Sequence, residues 1–193
     1  MHTMETGFQA NSVKRSGSPG CFRQPIPPWL MTQAPFVVIS GGQTGVDRAA
    51  LDAARESNLA HGGWCPAGRL AEDGRIPEIY ALIETPTAEY AVRTEWNVRD
   101  SDGTLILTSE NLTGGTRLTA VIALRYNKPL LVVDLARIGD PEQIAQRILE
   151  WLRMHKIRVL NVAGPRESTC PGIYARAKRV LDAVLTKLGR PGP

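Results

Sequence analysis

The sequence predicts a doubly wound α/β domain, a Rossmann-like parallel sheet in three layers. Short, nearly continuous apolar runs (PFVVI at 35–39, TLILT at 104–108, PLLVVD at 129–134, RVLNVA at 158–163) alternate with stretches of helical periodicity. Such runs read as strands buried on both faces, the habit of parallel sheets covered by helices. The segments that follow several of them are rich in glycine and arginine, where this architecture holds its ligand. No repeat at solenoid periods competes with that reading.

In chain order, 35–39 is the first strand, and 46–58 a helix with Ala49, Ala50, Leu51, Ala53 and Ala54 on or beside its packing face. His61–Cys65 is a short strand, and 66–79 a polar loop with a short helix at Pro77–Tyr80. Ala81–Glu84 is a third strand and 87–100 a helix; Thr104–Thr108 is a strand and 115–127 a helix. Pro129–Asp134 precedes a helix over 140–155, introduced by Asp140-Pro141. A last strand over 158–163 leads to a closing helix over 171–188, with Pro171 near its start.

The chain has 193 residues, room for one domain and a tail. Residues 1–30 are rich in Gly, Ser and Pro without periodicity and read as a disordered extension, leaving 31–188 as the domain and 189–193 as a flexible tail. The net charge is +4, and Lys14, Arg15 and Arg23 against Glu5 put half of it in that extension. The remainder argues against nucleic acid as the main partner. No apolar run approaches the roughly 18 residues of a membrane span, and no secretory core opens the chain, so a cytoplasmic protein is expected. Cys21, Cys65 and Cys170 are too few for a disulfide framework, and His2, His61 and His155 are too scattered for a zinc site.

The candidate site lies in the loops. After the first strand comes SGGQTGVDR, with Gly41, Gly42, Gln43, Thr44, Gly45, Asp47 and Arg48; after the second comes CPAGR, ending in Arg69. After Thr104–Thr108 the chain reaches Thr113, Gly114, Gly115 and Thr116, with Arg117 behind; after the last strand comes GPRES, with Arg166 and Glu167. Glycine lets backbone amides approach a ligand, a helix N-terminus adds positive potential, and arginine adds a bidentate fork, so together they favour an oxyanion. Any one loop could equally be a turn with a solvated arginine; four at one end of one sheet shift the balance.

The dinucleotide fingerprint G-x-G-x-x-G has Ser40 in its first place here, and Trp64-Cys65-Pro66 stands where the ribose-binding acid belongs. NAD is therefore disfavoured. A P-loop fails for want of Gly-Lys-Ser/Thr. In the helix YAVRTEWNVRDSDG, Glu95 and Arg99 are spaced to pair, Arg93 and Asn97 share a face, and Trp96 reads as packing. Asp100 and Asp102 crowd a helix end that disfavours negative charge, which calls for a capping or pairing role.

The combination SGGQTGVDRAALDAA, GWCPAGRLAEDGRIP, YAVRTEWNVRDSDGTLIL, TGGTRLT and GPRES…PGIY resembles the molybdenum carrier family over about residues 35 to 186. That family lies in a wider Rossmann-like superfamily with the LOG-type (lysine decarboxylase-like) phosphoribohydrolases. The resemblance implies binding of a molybdenum cofactor or molybdate, with a nucleotide such as AMP as the alternative, and a homo-oligomer, since related folds commonly pair. LOG-type enzymes carry an arginine nine residues before an aspartate and then PGGxGTxxE. Arg93 and Asp102 match that spacing, but the glycine motif lacks the proline and third glycine, and Thr119 stands where the catalytic glutamate belongs. Hydrolysis would then need Glu167 or Asp47 as its carboxylate.

Three functions remain open: a carrier for a phosphate-bearing or oxyanionic small molecule, a hydrolase of nucleoside monophosphates, and a nucleotide-sensing module. The missing glutamate favours the carrier over the enzyme. Cys65 and Cys170 are soft enough for molybdenum, but the general habit of thiols favours burial.

Overall fold

The structure, a computed structural model, describes residues 26–109, 111–136 and 140–189. Its elements are α1 (Pro28–Met31), β1 (Val37–Ile39), α2 (Val46–Glu56), β2 (Ala60–Gly62), β3 (Trp64–Cys65), β4 (Leu70–Ala71), β5 (Gly74–Arg75) and β6 (Ile83–Glu84). They continue as α3 (Tyr90–Arg99), β7 (Gly103–Thr108), α4 (Gly114–Arg125), β8 (Leu130–Asp134), α5 (Pro141–Met154), β9 (Val159–Ala163) and α6 (Ile173–Gly189).

Five strands form the central sheet in the order β2-β1-β9-β7-β8, every pair parallel. β9, the last strand in sequence, sits in the middle: Val37 of β1 faces Val159, and Ile106 of β7 faces Ala163. Counted from β9 as the first strand, the order becomes 3-2-1-4-5, the doubly wound Rossmann arrangement. The fold is thus the expected one, entered at a different point.

Alternation along the strands divides the core. Val38, Leu105, Leu107, Leu131, Val133, Leu160 and Val162 pack with α2, α5 and α6 in the larger cluster. The opposite face carries Val37, Ile39 and Val159 with Trp29 and Trp64, and a smaller cluster of Val98, Ile122 and Ala123 from α3 and α4. The start of α5 follows the expected chemistry, with Pro141 in the first turn and the Asp140 carboxylate accepting from Glu142 N–H at 3.0 Å.

Four expectations are corrected. The strand read as 61–65 breaks at Gly63, whose φ of +131° and a Cβ that would lie 2.1 Å from the Ser40 carbonyl oxygen admit only glycine. Its first half continues the central sheet as β2; its second half, β3, pairs in parallel with β6, so the strand read at 81–84 lies outside the main sheet. The loop read as 66–79 contains the antiparallel hairpin β4–β5, and Pro77–Tyr80 is not helical. Finally, the last residues assigned to the N-terminal extension are structured: α1 carries Trp29, which is 5% exposed and meets Trp64 edge-on at 5.6 Å. The expected disorder otherwise falls on residues 1–25, outside the described residues, as do 190–193 of the expected tail; Gly189 closes α6.

Trp29 therefore works as an anchor for the second face of the sheet. Trp29→Ala should lower the unfolding free energy by roughly 3 kcal/mol, the usual cost of emptying a buried aromatic site. Trp29→Phe should cost less, because it also removes an indole Nε1–H that is buried without a partner. Urea unfolding of the full chain measures both, and equal losses would show that packing is not what Trp29 supplies.

Candidate functional site

A cleft of about 200 Å³ opens beyond the carboxyl ends of β1, β7 and β9, where the strand order switches direction. Its wall comprises Gln43 and Asp47 from the first loop and α2, Tyr90, Arg93 and Thr94 from α3, Thr113–Thr116 and Thr119 around the start of α4, and Ala163–Arg166 with Thr169 after β9. Gathering these segments requires β9 in the centre of the sheet, since its loop bridges the other two.

Arg93 lies in the floor. Its Nη1 donates to Asp47 Oδ2 at 3.0 Å, and the pair is largely buried, with 15% and 4% of the side chains exposed. Gly41 makes the space: a Cβ there would fall 1.6 Å from Arg93 Nη1. Asp47 also accepts from Gln43 N–H at 3.3 Å. Burial pushes the Asp47 carboxyl above the ordinary value of 3.8, against the opposing pull of Arg93. Arg93 Nε is buried and has no hydrogen-bond partner. An unsatisfied buried donor on a guanidinium costs stability.

The start of α4 supplies further donors. Thr113 makes no side-chain cap, and the first backbone bond of the helix runs from Arg117 N–H to Thr113 O at 3.1 Å. The N–H groups of Gly114, Gly115 and Thr116 thus belong to the turn that helices leave unsatisfied, and open space surrounds both glycines. The Thr119 hydroxyl, in the place of the glutamate that LOG-type chemistry needs, donates to Gly115 O at 2.9 Å. Arg166 adds a second guanidinium, about half exposed at the rim.

Several residues singled out from the sequence are placed elsewhere. Arg69 is 4% exposed, and its guanidinium donates to the carbonyls of Ile76, Pro77, Tyr80 and Leu82 at 2.9–3.1 Å. Its donors are consumed by the loop it organises, so it is no cleft ligand. Arg48 donates to Gly42 O at 2.7 Å and forks onto Asp73. Asn97 clamps both backbone groups of Trp64 at 2.9 Å. Gly42 packs against Ile76 and Leu82, and Gly45 caps α2. Thr44 interacts with Glu72 and with Glu167 N–H. Glu167 accepts from Gly172 N–H at 2.5 Å and Tyr174 N–H at 3.0 Å, so it caps α6 and faces away from the cleft. Of the two carboxylates named as alternatives for hydrolysis, Asp47 lines the site and Glu167 does not.

The remaining acids are structural. Asp102 receives the N–H groups of Arg158 and Val159 at the entry to β9, while Asp100 receives the Trp64 indole N–H and an Arg99 fork. Trp96 packs edge-on against Trp64 at 4.7 Å, as expected. Cys65 and Cys170 are both buried, and burial pushes the Cys65 thiol up to about 11, which removes it as a thiolate ligand. Cys21 lies outside the described residues. Among the described residues no group of three or more His, Cys, Asp or Glu side chains is placed to hold a metal ion. The sequence reading missed Tyr90, Thr94, Thr119 and Thr169 as cleft residues. Helical spacing places Tyr90, three residues before Arg93, on its face, and Thr94 four residues after Tyr90, a signal that was available.

Fold and cleft together define a Rossmann-like α/β protein whose strand order is permuted and whose switch point carries glycines and arginines. The chain belongs to the circularly permutated YpsA SLOG family, whose description matches residues 38–185. In this chain the last strand in sequence lies at the centre of the sheet. The chain is also similar to the solved structure of a protein from Syntrophus aciditrophicus SB named "Putative molybdenum carrier protein". The identity is 49%, covering 81% of this chain and 99% of that one, with a TM-score of 0.76. No curated protein matches the chain.

Two outcomes follow from the geometry. Arg69→Ala should cost about 3 kcal/mol of stability, read from urea unfolding of the full chain, by stranding buried carbonyls. Asp47 governs a pH limb. A folded carboxyl that keeps its proton to higher pH than the unfolded chain favours folding fully below 3.8 and loses that advantage as pH rises through its folded value. Asp47→Asn should remove this decline, so urea midpoints of variant and parent shift in the variant's favour above about pH 4. A difference constant with pH would show that burial does not control the carboxyl.

Proposed function

We propose that the protein binds an oxyanionic small molecule in the cleft between Arg93, the start of α4 and the loop after β9, as a carrier of a molybdenum cofactor or molybdate. The observation that carries this reading is Arg93 in the wall of the cleft, with 15% of its side chain exposed, set beside the uncapped first turn of α4. Guanidinium, backbone N–H and threonine hydroxyl together form the donor set of a tetrahedral oxyanion or phosphate site. The thiolates that would ligate molybdenum directly are missing from the wall, so the cargo is held through its oxygens. A cleft of about 200 Å³ is smaller than the roughly 300–1,000 Å³ of ordinary ligand pockets, which suits an anionic head with the rest of the molecule outside.

The name of the Syntrophus relative supports the molybdenum assignment, and the same donors accept the phosphate of a nucleotide such as AMP. A cytoplasmic homo-oligomer belongs to this proposal. An enzymatic reading rests on Asp47 alone, a carboxylate of raised pKa beside a phosphate-binding arginine. Release of free base from a nucleoside monophosphate, lost in Asp47→Asn, would establish it.

Thermal melts of the full chain with molybdate, tungstate, phosphate and AMP test the binding reading. A ligand at 100 times its Kd stabilises by about 2.7 kcal/mol. At least one of the four should raise the melting temperature, and Arg93→Ala and Arg93→Lys should abolish the rise, since lysine cannot reproduce the fork. No response to any of them, or an equal response in both variants, would overturn it.

A further inference from the structure

The β4–β5 hairpin has only two residue pairs, far too few to hold itself in place. Its tip is pinned instead by neighbouring loops. Glu72 Oε1 accepts from the Thr44 hydroxyl and from Ser168 N–H at 3.1 Å, while Oε2 accepts from the Ser168 hydroxyl and lies 3.8 Å from Arg166 Nε. Glu72 N–H donates to Gln43 Oε1 at 2.9 Å. Two hydroxyls, an amide and a guanidinium thus converge on one carboxylate. Burial opposes its ionisation, yet the Ser168 and Thr44 bonds hold it below the usual carboxylate range.

This is the donor set of a phosphate cradle, filled by a side chain of the protein itself. Two of its surrounding residues, Gln43 and Arg166, also line the cleft. Arg166 therefore stands between two anion positions, with its Nε toward Glu72. The hairpin that carries Glu72 is short, and its neighbour Asp73 has a tie of its own, to Arg48 at 3.0 Å, that does not depend on the Glu72 carboxylate.

We propose that the Thr44–Arg166–Ser168 cradle is a second anion subsite, occupied by Glu72 when empty of ligand and opened for a molecule carrying two adjacent anionic groups, a diphosphate. The proposal rests on the reading above for the first group only. A single phosphate satisfies Arg93 and the start of α4 and leaves Glu72 seated. A diphosphate places its second phosphoryl group at Arg166, where it displaces a carboxylate of lower charge into water.

Isothermal titration of the full chain with inorganic pyrophosphate and orthophosphate, at fixed ionic strength, tests this. In Glu72→Ala the ratio of pyrophosphate to orthophosphate affinity should rise at least tenfold. Glu72→Gln, which keeps the shape and loses the charge, should give a smaller rise, and Glu72→Ala with Ser168→Ala should lose most of the gain. An unchanged or lower ratio in both single variants overturns the subsite, as does pyrophosphate binding to none of the proteins. Failure of the first reading has another signature: the pyrophosphate gain in Glu72→Ala would survive Arg93→Ala.

Discussion

The position of β9 is the constraint on which the rest of the structure depends. A strand made last in sequence enters between β1 and β7, and both of its neighbours are parallel to it. Parallel pairing turns all carboxyl ends the same way, so the loop after β9 stands between those after β1 and β7. The entry is guided by one side chain: the Asp102 carboxylate, just ahead of β7, receives the N–H groups of Arg158 and Val159. An aspartate that the LOG-type spacing groups with the anion-binding arginine is here part of the sheet's assembly. It acts on the cleft only by placing the strand that forms its middle wall.

Within that frame, surroundings decide what each arginine does. Arg69 and Arg93 belong to loops or helices at the same end of the sheet, and both are mostly buried. Arg69 meets four carbonyls of an irregular loop, and its guanidinium is committed to them. Arg93 meets one carboxylate and a glycine that leaves room for its guanidinium, and its Nε is buried without a partner. The second arrangement costs stability, and such costs concentrate at functional sites.

This contrast explains what could be read from the sequence. Alternation of apolar runs and helices gave the parallel sheet, because burial on both faces leaves an unambiguous hydrophobic signature. The position of the glycine-rich loops at the carboxyl ends of the strands was legible because each follows an apolar run directly. The order of strands was not legible, since hydrophobic periodicity carries no record of which neighbours a strand chooses. Nor were the fates of Arg69 and Glu167: a guanidinium bound by carbonyls and one lining a cleft are the same letter. The hairpin β4–β5 stayed hidden because two residues per strand are too few for a period to emerge.

Glu167 decides what the helix after the central strand can offer to the cleft. In the doubly wound arrangement the helix after the first strand receives the phosphate at its N-terminus. Counted from β9, that helix is α6. Here the Glu167 carboxylate occupies the start of α6, accepting from Gly172 and Tyr174 N–H, so the positive end of this helix is already answered. The helix across the switch point, α4, has no such cap and begins with two glycines that leave space before it. The two helices flanking the switch point therefore differ at their N-termini: α6 is answered by a side chain of the protein, and α4 opens onto the cleft. The loop after β9, Gly164-Pro165-Arg166-Glu167-Ser168, has no run of glycines and presents Arg166 toward the cleft rim.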